Sequence, residues 1–149
     1  SDAELPGRVL EMTHWSYFEN WDPYRNYLVA KEHCGLREAD GSNSGTFTNF
    51  SQNDQALYSL HTYLMYLKFG FGRANQDASI EVRRGAMDRA QAVNLVRLYD
   101  GHFPDEHIET FLEYYRLDRP AFDAVLDRWV NKDIFSKVDG RWRPRFTVV

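Results

Sequence analysis

The sequence predicts a mainly α fold, an antiparallel helical array of about six helices with a small C-terminal β-hairpin. Three observations carry that expectation. Apolar side chains recur at three- and four-residue steps in segment after segment. Cap residues and glycines divide those segments at short intervals. Near the C-terminus, Asp139-Gly140 sits between short runs as a tight type I′ turn would. The 149 residues fit one domain, residues 1–149, large enough for a single core.

Taken in order, residues 8–17 carry aromatic and apolar side chains without a clear period, as a short strand or an irregular arm would. Asp22-Pro23 opens a helix, with Asp22 as cap and proline at the first helical position. That helix ends at Cys34-Gly35, where Gly35 suits a left-handed C-terminal cap. Residues 36–52 form a Gly-, Ser- and Asn-rich loop of about 15 residues, long enough to suggest function or mobility. From about Asn53 a helix carries Leu57, Leu60, Tyr63, Leu64, Leu67 and Phe71, with Tyr58, Met65, Tyr66 and Phe69 widening its apolar surface. Such a helix is central and buried on most sides. His61 lies on it and reads as a hydrogen-bonded core residue.

After Gly70 and Gly72, a helix over residues 75–84 ends at Gly85. Met87-Asp88 starts the next, with Ala92, Leu95, Val96 and Tyr99 on one face, ending at Gly101. Pro104 starts another with the stripe Ile108, Phe111, Leu112 and Tyr115. Asp118-Arg-Pro120 starts the last, with Phe122, Val125, Leu126 and Trp129.

Composition bounds the function. No apolar run approaches the roughly 18–20 residues that span a bilayer, and the first residues lack the features of a signal peptide. The single Cys34 leaves no internal disulfide framework and no multi-cysteine zinc site. The expectation is a cytoplasmic protein with no membrane partner and no metal. A net charge of −4 argues against a nucleic-acid partner, whose affinity rests on a dominant basic surface. Charge is nevertheless uneven. Residues 66–97 hold six bases against three acids, residues 100–127 hold eight acids against Arg116 and Arg119, and residues 137–145 hold four bases against one acid.

Two segments could carry chemistry. Arg73, Asp77, Glu81 and Arg84 share one helix face just behind the Gly70/Gly72 break. Exposed amides and the positive end of a helix dipole there could hold a phosphate or carboxylate between Lys68 and Arg73, with Asp77 or Glu81 orienting the arginines. The competing reading is a ladder of intrahelical ion pairs. In the loop, Thr46, Thr48 and Asn49 beside Phe47 and Phe50 suit a sugar or nucleotide, or else simply pin the loop to the core. The five histidines show no metal-ligand spacing, and no self-contained catalytic motif occurs.

Trp21-Asp-Pro-Tyr24, Gly45-Thr-Phe-Thr48, the run Tyr63-Leu-Met-Tyr-Leu-Lys-Phe-Gly-Phe-Gly-Arg73, Asp77-Ala78, Arg83 with Gly85, Tyr99-Asp-Gly101 and Asp139-Gly-Arg-Trp142 occur in that order. On these residues the chain, from about Trp21 onward, resembles the C-terminal part of N-acetyl sugar amidotransferases of bacterial lipopolysaccharide and O-antigen biosynthesis. The resemblance implies a larger two-domain enzyme. Its N-terminal PP-loop pyrophosphatase-type domain binds ATP and turns the acetamido group of a nucleotide-linked sugar into an acetamidino group, with ammonia from a glutaminase subunit. The Ser-Gly-Gly-x-Asp-Ser motif of that domain does not occur in this sequence. The chain is therefore expected to be an excised or truncated C-terminal part that binds no ATP itself and is inactive alone. Two roles stay open: binding the nucleotide-sugar substrate, or docking the glutaminase or a second copy as a homodimer.

Overall fold

Asp22, Asp88 and Asp118 each accept a hydrogen bond from the amide three residues on, at Arg25, Gln91 and Ala121 (3.0, 2.8 and 2.8 Å). At Asp88 the bond is reciprocal, because the Gln91 side chain accepts from the Asp88 amide at 3.0 Å. These caps start three of the six helices in the computed structural model, which describes residues 11–52 and 56–149. The helices are α1 (Pro23–Cys34), α2 (Ala56–Phe69), α3 (Arg73–Arg83), α4 (Arg89–Tyr99), α5 (Ile108–Tyr115) and α6 (Arg119–Trp129). Strands β1 (Phe135–Val138) and β2 (Arg141–Pro144) follow. The expected mainly α fold with a C-terminal hairpin is the fold observed.

The chain divides into two compact units, Ser1–Gly35 and Leu36–Val149. In the first, residues 15–17 form a 3-10 turn in place of the strand or arm expected over residues 8–17, whose first three residues lie outside the described part. Trp15 Nε1 donates to Glu19 at 3.0 Å, and Arg25 pairs with Glu19 at 2.7 Å. Gly35 takes the left-handed conformation at φ 68°, which ends α1 as its sequence implies. No residue of α1 is buried.

In the second unit, α2 is the central element. Its Leu60, Tyr63, Tyr66 and Leu67 pack on Phe111 of α5, Phe122 and Leu126 of α6, Val130, and Phe135 of β1. The expected start near Asn53 lies outside the described residues. A smaller core joins Ala78 of α3 to Ala92 and Val96 of α4, covered by Phe47, Met87 and Val148. The C-terminal residues are strapped along this pair: Arg97 donates to the Val148 carbonyl (3.1 and 2.7 Å) and Arg89 to that of Val149 (2.8 Å).

The hairpin pairs Val138 with Arg141 and Lys137 with Trp142 across Asp139-Gly140. Both turn residues have positive φ (50° and 76°), as type I′ geometry requires.

Four expectations need correction. Phe71 lies past the end of α2 and is 38% exposed. His61 is exposed beside the Tyr58 ring and belongs to no core. Tyr115, Val125 and Trp129 fit their helical stripes by spacing but are 50%, 41% and 58% exposed. Each stripe buries only its centre (Phe111 of α5, Phe122 and Leu126 of α6), because α2 is a single cylinder and covers a narrow band of each neighbour. Finally, α3 begins at Arg73, two residues before Asn75, for a reason that lies in the site.

Candidate functional site: a polar cleft built on a capped junction

Gly72 has no side chain to cap α3, and the cap comes from Asp100, at the end of α4. Its two carboxylate oxygens accept from the amides of Gly72 (2.8 Å) and Ala74 (2.9 Å). The amides that seemed available to an external anion are thus bound by the protein's own carboxylate. Burial raises the Asp100 carboxyl above its ordinary value despite the hydrogen bonds from Gly72, Ala74 and Asn75, and the charge of Asp77 adds to the rise.

The close approach explains the glycines. A Cβ at Gly72 would lie 2.7 Å from Asp100 Oδ1, and one at Gly101 would lie 2.4 Å from the Tyr66 ring. The two short motifs that surround Gly72 and Gly101 are two halves of one joint.

A polar chain runs from this joint to the loop. Arg73 Nε donates to Asp77 Oδ1 at 2.7 Å, and the buried Thr46 hydroxyl donates to Asp77 Oδ2 at 2.7 Å. A second nitrogen of Arg73 donates to the Tyr58 hydroxyl, and its guanidinium lies 5.6 Å from that ring centre. Burial works against the Arg73 charge, but Asp77 and Tyr58 outweigh it and hold the guanidinium protonated. The Ala74 amide reaches the Gly45 carbonyl at 2.9 Å. Residues 44–46 are thereby fixed to the start of α3.

The other predicted residues fall in separate places. Arg84 and Glu81 pair with each other at 2.6 Å. Lys68 borders an apolar groove of about 310 Å³ between α2 and α6, with Trp129 and Val125. Asn49 donates to the Ala39 carbonyl at 3.2 Å, while the Thr48 hydroxyl is buried without a partner among the described residues. Phe47 packs on the Ala78–Val96 cluster. The structure joins Arg73, Asp77 and Thr46 and leaves Lys68, Glu81 and Arg84 apart from them.

Beyond the fixed loop opens a cleft of about 480 Å³, a volume typical of small-molecule sites. One wall is Ser42, Asn43 and Ser44 of the loop; another is His102, Asp105 and Glu106 after α4; the third is Arg141, Trp142 and Arg143 of β2; Tyr63 also lines it. The Ser44 hydroxyl donates to Glu106. Burial opposes the Glu106 charge, but that bond, the Glu106 amide and the nearby His107 together outweigh it and hold the carboxyl below its ordinary value. Arg141 approaches Asp105 at 3.5 Å. Burial pushes the Tyr63 hydroxyl up to about 12, against the nearby charges of Arg141 and Arg143. None of these residues was among the candidate site residues, although Tyr63, Arg141 and Trp142 lie in the motifs that carry the family resemblance. The signal available was the basic tail, where Arg-Trp-Arg beside a tight turn must place both arginines on one strand face.

The family described as "LPS biosynthesis protein WbpG-like, C-terminal domain" matches residues 44–147. The chain belongs to that family. The match starts at Ser44, on the cleft rim, and spans α2 to α6 and the hairpin, so it contains most of the cleft wall. Among curated proteins none matches the chain. Among the described residues no cluster of three or more His, Cys, Asp or Glu is placed to hold a metal, and no helix is long and apolar enough to cross a membrane.

Proposed function

We propose that this domain is the C-terminal helical portion of a lipopolysaccharide or O-antigen sugar amidotransferase and that its polar cleft contributes to binding the nucleotide-linked sugar. The observation that carries this reading is the cleft itself. It is concave, it is lined by hydroxyls, two carboxylates and two guanidiniums, with Asp105 beside Arg141, and it lies almost wholly inside the matched segment. A hydroxyl-rich ligand with an anionic end suits such a wall. ATP-dependent activation of the acetamido oxygen belongs in this reading to a PP-loop domain of the longer, cytoplasmic enzyme, which receives ammonia from a glutaminase subunit.

In that enzyme Arg73, Asp77 and Thr46 act as positioning residues, since they hold the loop that forms the cleft rim. Arg73→Ala is expected to weaken nucleotide-sugar affinity several-fold, whereas Lys68→Ala leaves it unchanged. Titration of both variants of the longer enzyme with UDP-N-acetyl sugars reads this out. Normal affinity in Arg73→Ala, together with no resonance shift at Ser44, His102 or Arg143 in the wild type, would overturn the assignment.

One observation favours a docking role besides. Trp15, Tyr17, Phe18, Trp21 and Tyr24 are all more than half exposed, and they precede the matched segment. Exposed aromatic patches of this kind mark protein contacts. A partner there, the glutaminase or a second copy, is tested by light scattering of the chain alone and mixed with the glutaminase. A strict monomer that binds no glutaminase would remove this role.

A further inference from the structure

Arginine side chains at i and i+2 of a strand point to the same face. In β2 those are Arg141 and Arg143. The opposite face carries Trp142, whose Nε1 donates to Asp127 of α6 at 2.9 Å. Its cross-strand neighbour Lys137 holds the same carboxylate at 2.7 Å. Phe135, on that face too, is fully buried. The hairpin is therefore anchored to α6 and the core by one face, while both arginines of the other face line the cleft together with Tyr63. Trp142 also borders it.

The pairing of these arginines is incomplete. Among the described residues, Arg141 reaches only Asp105, at 3.5 Å between largely exposed side chains, and Arg143 makes no ion pair. A guanidinium held at a cleft edge by a rigid strand, without a carboxylate partner, is a preorganised donor for phosphate. Across the cleft the chemistry reverses. Glu106 is ionised and receives the Ser44 hydroxyl, so its remaining lone pairs accept from hydroxyls and repel phosphate.

We propose that the cleft is two-ended: Arg141 and Arg143 grip the phosphate or diphosphate of a phosphorylated sugar, while Ser44 and Glu106 accept hydrogen bonds from the sugar hydroxyls. This rests on the cleft being the substrate site and adds which end of the ligand lies where. The α3 N-terminus is not the phosphate site, because Asp100 fills it. The same chemistry is met by a sugar 1-phosphate or by a nucleoside diphosphate sugar.

The test is binding to the 149-residue chain by calorimetry, with inorganic pyrophosphate, N-acetylglucosamine 1-phosphate and UDP-N-acetylglucosamine as probes. Arg141→Gln and Arg143→Gln are each expected to weaken all three probes about tenfold. Glu106→Gln is expected to weaken the two sugar probes and to leave pyrophosphate unweakened. Arg145→Gln removes the same charge from an exposed residue outside the cleft lining and is expected to change nothing. Thermal melts of each variant confirm that it folds. Tighter binding of the nucleotide probe than of the sugar phosphate identifies the nucleotide form as ligand; equal binding identifies the sugar phosphate.

Pyrophosphate affinity that survives both arginine substitutions, or that falls equally in Arg145→Gln, overturns the proposal. If UDP-N-acetylglucosamine binds wild type and arginine variants alike, the two-ended arrangement is wrong while the substrate-site reading stands. If pyrophosphate obeys the arginines but no sugar probe binds the chain or the longer enzyme, the substrate reading fails and only the anion end survives.

Discussion

Tyr63 shows how one buried hydroxyl ties the core to the cleft. It is 7% exposed, its ring meets Phe103 edge-on at 5.1 Å, and its hydroxyl titrates only at about 12. A folded-state value above the ordinary 10 means that the neutral phenol stabilises the fold. That contribution is fully present below pH 10 and is lost as pH rises through about 12, a loss of about 2–3 kcal/mol. Denaturant melts at pH 9 and pH 12 should therefore show wild type losing that much more stability than Tyr63→Phe. Parallel losses would show that Tyr63 is not desolvated. Thr48 makes the opposite case. Its buried hydroxyl lacks a partner among the described residues, so Thr48→Val should be neutral or stabilising by up to about 1 kcal/mol. A drop in ligand affinity without loss of stability in that variant would instead return Thr48 to the site. Gly101 needs both its φ of 76° and its open side-chain position, where a Cβ would meet the Tyr66 ring. Gly85 shares the conformation (φ 75°) but has nothing within 4 Å. Urea melts should thus show Gly101→Ala costing about 2 kcal/mol or more, and Gly85→Ala about 1 kcal/mol.

At the scale of elements, the junction before α3 depends on a carboxylate 26 residues away from the amide of Ala74. Asp100→Ala would leave the Gly72 amide without its acceptor and the Ala74 amide with the Gly45 carbonyl alone, at a cost of about 1–3 kcal/mol. Asp100→Asn keeps one acceptor and should lose about half of that. Hydrogen exchange at Gly72 and Ala74 is the measurement, and unchanged protection in Asp100→Ala would refute the cap. This joint also marks how far the sequence could be read. The caps at Asp22, Asp88 and Asp118 act on amides three residues away, so their spacing is visible in the chain. The helical stripes and the Asp139-Gly140 turn are local in the same sense. Asp100 acts through tertiary contact, and nothing in its neighbourhood says which amides it meets. For the same reason Gly70-Phe-Gly72 reads as an open anion site when it is a filled one. Arg73 with Asp77 was visible as a pair four residues apart, but Thr46, the third member, comes from 31 residues away. The cleft was least legible, because its three walls are brought together from residues 42–45, 101–106 and 141–143 only by the folded core.

For the molecule as a whole, the hairpin decides whether the cleft has a basic wall. Beside the buried Phe135, its polar attachment is concentrated: Asp127 takes both Lys137 and the Trp142 indole. The Lys137 bond holds the Asp127 carboxyl below its ordinary value, although burial pulls slightly the other way. A depressed folded-state value means that the attachment is fully present above the ordinary aspartate range and is lost as pH falls through the lowered one. The indole N–H resonance of Trp142 should therefore shift with a midpoint below 3.8, and in Asp127→Asn it should stay flat. Because these side chains are over a third exposed, the direct stability loss in Asp127→Ala should be small, on the order of 1 kcal/mol or less. The larger effect should fall on function. With the Trp142 face released, Arg141 and Arg143 are no longer held at fixed positions, and ordering them on a ligand costs side-chain and backbone entropy that the attached hairpin has already lost. Pyrophosphate affinity should drop in Asp127→Ala by less than in Arg143→Gln, since both guanidiniums remain. An equal or greater drop would mean that Asp127 acts on the ligand by some route other than the strand it anchors.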